Sequence, residues 1–269
     1  MKSWLTVTGA NGFVGVMLTK RLHTDGKVAH CIVRSKVSTR PCAVYSWLTA
    51  IEQDINAQTN WAPHLTNTRT IIHCAARTHV MHERATDPLA AYRAINVEGT
   101  RRLAEQAAEA GVQRFVFLSS IKVNGESTQS ARPFQRIDPP APEDPYGISK
   151  WEAEQALWEI GTRTGLEIVI IRPPLVYGPE VKANFRTMLG WVVRGIPLPL
   201  GAINNLRSLV FIENLVDLII TCIDHPAAAN QTFLVSDGED LSTTDLLRRI
   251  ATSMHKPSRL LPVPPTMLR

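Results

Sequence analysis

The sequence predicts an α/β protein: a doubly wound parallel sheet followed by a smaller C-terminal lobe. Three observations carry that expectation. Short apolar strands alternate with amphipathic helices from the first residues onward. Each of those strands is apolar throughout rather than on alternate positions, as in a parallel sheet covered on both faces. After Pro173 the alternation stops, and Pro-rich joints such as Ile196-Pro197-Leu198-Pro199 separate shorter elements. The expected division is therefore 1–173 for the sheet domain and 174–269 for a lobe that grips substrate.

The elements follow in order. Trp4 to Thr8 is a strand, and Gly9 ends it. Phe13, Val14, Met17, Leu18 and Leu22 share one face of a helix that Asp25-Gly26 stops. Val28 to Val33 is the next strand, closing a βαβ unit of about 30 residues. A weak strand leads into Asp54-Ile55, and Thr70 to Cys74 forms a buried one. Residues 85–111 read as one long helix, Arg114 to Leu118 as a strand, and 124–145 as a Pro-rich loop. Tyr146 to Gly161 returns to helical spacing, and Leu166 to Ile171 is a further strand.

Between the first strand and helix stands Thr8-Gly9-Ala10-Asn11-Gly12-Phe13-Val14-Gly15. Gly9 permits the tight turn, Gly12 lets backbone approach a pyrophosphate, and Gly15 lets the helix lie close on its strand. The helix N-terminus offers free N–H groups to phosphate oxygens. A strand before and a helix after make this a Rossmann-type dinucleotide turn. The second strand ends Val33-Arg34-Ser35-Lys36, with no carboxylate for a ribose diol. Arg34 suits a 2′-phosphate, so NADP(H) is favoured and NAD(H) remains open; the alternative for Arg34 is a solvated loop cation.

Tyr146-Gly147-Ile148-Ser149-Lys150 sets Tyr and Lys one helical turn apart on the same face. A phenol with a pKa near 10 is a poor base at neutral pH. A nearby ammonium and a cationic nicotinamide would both lower it, letting Tyr146 exchange a proton with a carbinol or ketone. Ser120, at a strand's C-terminal end, can hold the same oxygen.

These motifs resemble the extended short-chain dehydrogenase/reductases of the NAD(P)-dependent sugar epimerase/dehydratase group. The likeness spans nearly the whole chain. It includes the glycine turn, Asp54-Ile55, His73-Cys74-Ala75-Ala76, Asn96-Val97-Glu98-Gly99-Thr100, Phe117-Leu118-Ser119-Ser120, Tyr146 with Lys150, Arg172-Pro173 and Tyr177-Gly178-Pro179. The resemblance implies that Ser120, Tyr146 and Lys150 are catalytic. It implies that Gly9, Asn11, Gly12, Phe13, Val14, Gly15, Asp54, Ile55, Ala75, Ala76, Asn96, Tyr146, Lys150 and Pro173 serve the dinucleotide, with Asp54 and Ile55 at the adenine and Asn96 supporting the lysine region; Arg34, expected at the cofactor from its charge, stands where the group's NAD enzymes carry an acid. Asn184 and Phe185 would meet the diphosphate of a UDP-sugar, Leu200 would lie in a strand beside the uracil, and Arg207 would grip the diphosphate; the alternative for Arg207 is a surface ion pair. Relatives commonly dimerise through two helices, here within 90–111 and 150–161. Ile121-Lys122 stands where the group's dehydratases carry Asp-Glu, which argues against 4,6-elimination. The chain ends at Arg269, short of the group's usual length.

Two outcomes remain for chemistry at a sugar C4. The first expectation is reduction of a UDP-4-keto-6-deoxy-hexosamine for surface polysaccharide, because Arg34 points to the NADPH pool and the texture of Arg77 to Met81, Ser120 to Gly125 and Arg172 to Pro179 resembles proteins that finish such sugars. The alternative is a UDP-hexose 4-epimerase, and a distant third is a redox sensor without turnover. Composition agrees with a globular enzyme: 269 residues, 44% hydrophobic, 20% charged, net charge +5 with no basic cluster for nucleic acid. Cys31, Cys42, Cys74 and Cys222 form no Cys-x-x-Cys pair, and the histidines have no metal spacing; His79 and His82 are read as loop residues. No leader or membrane span is evident, and a cytoplasmic location is expected.

Overall fold

The computed structural model describes residues 4–34, 50–78, 85–128, 132–181 and 183–267. The chain divides into two compact units. The first holds 1–173 with 215–235, and the second holds 174–214 with 236–269. The lobe expected over 174–269 is thus interrupted by a segment that rejoins the first unit.

The first unit contains β1 (Trp4–Thr8), α1 (Phe13–Thr24), β2 (Ala29–Val33), β3 (Ala50–Glu52), α2 (Ala62–Leu65), β4 (Thr68–His73), α3 (Pro88–Arg93), a π-helical turn (Ala94–Gly99), α4 (Thr100–Glu109), β5 (Arg114–Leu118), a 3-10 turn (Ile121–Val123), α5 (Pro145–Thr164) and β6 (Glu167–Arg172). The second contributes β7 (Leu175–Tyr177), α6 (Ala183–Val193) and β8 (Arg207–Phe211). Helix α7 (Ile212–Asp224) and β9 (Gln231–Leu234) return the chain to the first unit; β10 (Asp240–Leu241) and α8 (Thr243–Ser253) belong to the second.

Seven parallel strands in the order β3-β2-β1-β4-β5-β6-β9 make the main sheet. The order reverses between β2-β1 and β4, the topological switch point at which such sheets bind ligands beyond their strand ends. The core lies against this sheet. Trp61, Leu65, Ile71, Leu103, Phe115, Phe117, Leu157, Ile160, Ile168 and Ile170 are all buried together, each large apolar side chain contributing about 1.5–3 kcal/mol over exposure. Continuous apolar runs such as Phe115-Val116-Phe117 need both faces of the strand covered, and all three are buried.

Capping explains the helix starts. The Asp87 side chain accepts from Ala90 N at 3.0 Å ahead of Pro88, and Asp144 accepts from Gly147 N at 2.6 Å ahead of Pro145. Gly165, at φ +79°, ends α5. The long helix expected over 85–111 is not regular: it carries the π turn at Ala94–Gly99. Two residues of that turn are closely packed. A Cβ on Gly99 would stand 2.6 Å from Ile55 Cγ2, and the buried Asn96 turns inward to hydrogen-bond distant groups.

In the second unit β10, β8 and β7 form a three-stranded sheet. Asn205 accepts from Thr243 N at 3.1 Å, and Thr244 Oγ1 donates to Leu200 O, holding the connection to α8. No helix among the described residues is long and apolar enough to cross a membrane.

Candidate active site

The glycine turn occupies the β1–α1 junction. Gly9, at φ +67°, lies against the backbone after β4: a Cβ there would come within 2.7 Å of Ala75 N. A Cβ on Gly15 would meet Gly9 O at 2.1 Å, so α1 rests directly on the turn. Gly12 differs. Its φ of −76° suits any residue, and a Cβ would meet only Gly9 O, at 3.1 Å. Backbone conformation does not require a glycine there; the tight approach to Gly9 O and a phosphate group coming up to the turn both favour one. Gly12 caps α1 without a side-chain hydrogen bond, and the first turn holds no acidic residue, so the N–H groups at this helix start, with Asn11, Phe13 and Val14, are suited to an anion. These residues fit a dinucleotide pyrophosphate.

Around the turn, Ala75 N donates to Thr8 Oγ1 at 3.4 Å, and Ala75 and Ala76 are half-buried. Arg34 is exposed just beyond β2. Asp54 is exposed, and its carbonyl accepts from Thr59 Oγ1 at 2.9 Å; Ile55 packs toward Gly99. Pro173 is buried, and its carbonyl accepts from Ile121 N at 3.0 Å. Ser35, Lys36, Cys42, His79 and His82 lie outside the described residues.

Helix α5 carries Tyr146 in its first turn and Lys150 in its second. Lys150 is 1% exposed, with Nζ 3.8 Å from the centre of the Phe117 ring. Burial lowers its pKa to about 7, against a smaller opposing pull from Glu154 and Cys74. Burial also raises Tyr146, with further contributions from Asp144 and Tyr92. The protein's own groups therefore move the phenol opposite to the direction expected from the Tyr–Lys spacing. The physical reason is desolvation, which disfavours phenolate and ammonium alike. The Tyr92 ring lies 6.1 Å from that of Tyr146, and the Arg77 guanidinium stands 5.4 Å from the Tyr92 ring centre.

Ser120 is half-buried and caps the 3-10 turn: its Oγ accepts from Lys122 N at 3.2 Å, which leaves its own hydrogen for another acceptor. Asn96 holds two segments together. Its amide exchanges hydrogen bonds with Arg77 N and Arg77 O at 2.8 and 3.0 Å and donates to Ser149 Oγ at 2.9 Å. Ser149 in turn donates to Tyr146 O. Asn96 thus fixes the start of α5 from below.

Sequence reasoning missed a buried network beneath these residues. Glu154 is fully buried; it accepts from Arg172 through Nε at 3.0 Å and Nη2 at 2.5 Å, and from Ser119 Oγ at 2.5 Å. Arg172 also donates to Asn124 Oδ1 at 2.9 Å. The available signal was the four-residue repeat Tyr146, Lys150, Glu154 along one helix face. His73, also missed as a structural element, bridges Thr8 Oγ1 at 2.6 Å and Thr100 Oγ1 at 2.9 Å; burial, then Lys150, lower its pKa to about 3, so it is neutral.

Within the second unit Arg207 is exposed at the start of β8, and among the described residues no carboxylate pairs with it. Leu200 is half-buried; in place of the expected strand at Leu198 to Gly201 there is a single bridge, Leu198 to Leu260. Phe185 is buried, its ring stacked on Tyr177 at 5.6 Å, so it packs internally rather than standing open to a ligand. The Asn184 side chain lies outside what the structure describes. Among the described residues no group of three or more His, Cys, Asp or Glu could hold a metal ion.

Comparison with known proteins adds sequence kinship to this geometry. A family model described as the NAD dependent epimerase/dehydratase family matches residues 5–236. The chain is 49% identical over 98% of its length to a UDP-glucose 4-epimerase of Vibrio cholerae, covering 80% of that protein. It is 28% identical over its full length to an N-acetyl-α-D-glucosaminyl-diphospho-ditrans,octacis-undecaprenol 4-epimerase of Escherichia coli O157:H7, covering 78% of it. In fold it resembles the UDP-glucose 4-epimerase of Thermus thermophilus in complex with NAD, with a TM-score of 0.80 at 21% identity over 97% of this chain and 86% of that one. A UDP-glucuronic acid 4-epimerase from Bacillus cereus, in complex with UDP-glucuronic acid and NAD, gives 0.82 at 20% identity over the same shares.

Proposed function

Because the chain belongs to the NAD dependent epimerase/dehydratase family, as an enzyme of the extended short-chain dehydrogenase/reductase type, we propose that it is a 4-epimerase of a UDP-linked hexose with NAD as resident cofactor. The observation that carries the reading is the 49% identity, along almost the whole chain, to a UDP-glucose 4-epimerase. It favours the epimerase over the reductase that Arg34 suggested.

In this reading the glycine turn and the α1 N-terminus hold the pyrophosphate, with Asn11, Phe13 and Val14 presenting backbone N–H groups and Gly12, whose own N–H closes the turn onto Gly9 O at 2.8 Å, leaving room for the phosphate. Ala75, Ala76 and Pro173 line the path to the reacting end, and Asp54 with Ile55 serves the adenine. A dinucleotide held there would supply the acceptor and then the donor of the C4 hydride, and the sugar would have to turn over as the ketone between the two transfers for the configuration to invert. Tyr146 exchanges the proton of the C4 oxygen. Ser120 donates its free hydrogen to the same oxygen, and Lys150, poised near neutrality, supplies positive charge beneath the phenol. Asn96 positions α5 rather than touching cofactor. Arg207 takes the UDP diphosphate, with Asn184 and Leu200 shaping the nucleotide site. The exposed faces of α4 and α5, where Arg101 pairs with Glu159 at 3.3 Å, form the homodimer surface; light scattering of the purified protein measures the dimer directly. The enzyme works in the cytoplasm.

A second reading keeps one specific observation: Arg34, exposed beyond β2 where no acid stands, suits NADPH and hence 4-keto reduction. One experiment separates the two. Conversion of UDP-glucose to UDP-galactose without added cofactor supports the epimerase. Oxidation of NADPH by a UDP-4-keto-6-deoxy sugar, with UDP-glucose left unchanged, supports the reductase. Absence of both reactions overturns both readings.

A further inference from the structure

Lys122 lies two residues after Ser120, where the group's dehydratases carry an acid. In the structure its Nζ donates to Asp144 Oδ2 at 2.5 Å and to Glu126 Oε1 at 2.7 Å. Its backbone N–H donates to Ser120 Oγ. Asp144 is the N-cap of α5, accepting from Gly147 N at 2.6 Å, two residues ahead of Tyr146. A Cβ on Gly147 would stand 3.0 Å from Lys122 O and 3.3 Å from Lys122 Cβ, so the first turn of α5 is pressed against this residue. One residue therefore contacts Ser120 through its backbone and the Tyr146 helix start through its side chain.

We propose that Lys122 is a positioning residue for the reaction: it clamps the N-terminus of α5 to the Ser120 loop through Asp144 and balances the Asp144 carboxylate beside the Tyr146 phenol. The inference rests on the assignment of Ser120 and Tyr146 to the proposed chemistry. Among the described residues, the charged and titratable groups near the phenol include Asp144 at the cap, Lys150 one turn on, Tyr92 from α3 with Arg77 over its ring, and the Lys122–Glu126 pair behind Asp144. Asp144 is the largest electrostatic influence raising Tyr146, after burial. Burial pulls Lys122 down, but its two carboxylates outweigh that and keep it charged. Without that ammonium Asp144 loses the cation that Lys122 Nζ brings to it, and its charge acts more strongly on the phenol.

The test uses the holoenzyme and three variants. Lys122→Met should move the midpoint of the pH dependence of kcat/KM upward by roughly half a unit or more, and Asp144→Asn, which keeps a capping oxygen, should move it downward by a similar amount. Lys122→Arg should restore the wild-type midpoint. The same order should hold for the tyrosinate fraction at one fixed alkaline pH, read from 13Cζ-tyrosine resonances; among the four tyrosines Tyr146 is identified by its loss in Tyr146→Phe. Thermal unfolding establishes that each variant folds. Midpoints and resonances that stay put, or that move the same way in Lys122→Met and Asp144→Asn, overturn the clamp. An active Tyr146→Phe enzyme overturns instead the assignment on which it rests.

Discussion

Tyr146 and Lys150 share a helix face but not an electrostatic fate. Burial leaves Tyr146 a protonated phenol and brings Lys150 to about 7. Tyr146→Phe removes the proton-exchanging oxygen and little else, so turnover should fall by about 10²-fold or more while dinucleotide binding persists; product formation and calorimetry measure the two separately. Lys150 permits a stability prediction. Unfolded, it titrates near 10.5; folded, near 7. Between these values the unfolded chain binds the extra proton, so this residue's contribution to stability increases as pH rises from about 7 to 10.5, and below 7 the full cost of a buried ammonium remains. Lys150→Met should raise stability at pH 6 by on the order of 1–4 kcal/mol, with the gain shrinking toward pH 10. Denaturant unfolding at both pH values checks this, and a gain that grows with pH would contradict it. The identities of both residues were legible from a four-residue spacing; the direction of the tyrosine's shift was not, because desolvation depends on what the fold packs around it.

At the scale of elements, the β1–α1 turn separates two kinds of glycine. Gly15 is held by packing, since a Cβ would sit 2.1 Å from Gly9 O, and Gly12 faces open space apart from Gly9 O at 3.1 Å. Gly15→Ala should therefore cost roughly 1–3 kcal/mol of folding stability through overpacking. Gly12→Ala should change stability by no more than about 1 kcal/mol, the scale of a weaker cap, yet lose dinucleotide affinity sharply. Melting curves with and without NAD discriminate them; equal stability losses at the two positions would remove Gly12 from the pyrophosphate site. Helix α5 shows the complementary dependence on a distant partner. Glu154→Ala strands Arg172 in the core and should cost about 3–5 kcal/mol, measurable by denaturant unfolding. The helical period over 85–111 revealed a helix, but not its π turn at Ala94–Gly99, inside which Asn96 is buried and Gly99 lies close to Ile55.

For the molecule as a whole, the proposed nucleotide handle and the dinucleotide turn belong to different compact units. Arg207→Ala should weaken UDP by roughly 1.5–3 kcal/mol and leave NAD affinity unchanged; paired titrations measure both, and a UDP affinity that does not change would remove Arg207 from the substrate site. The parallel α/β architecture, the phosphate turn and the Tyr146–Lys150 pair can all be read along the chain. Each is written in local spacing: an apolar run, three glycines in one turn, two residues on one helix face. Tertiary structure alone decided that β9 joins the first sheet, that Glu154 meets Arg172 and Ser119, that Arg172 meets Asn124, that Lys122 locks onto Asp144, and that Phe185 turns into the packing against Tyr177. Those facts depend on which distant segments the fold brings together and how much water it removes around them, and neither quantity has a period or a spacing along the chain.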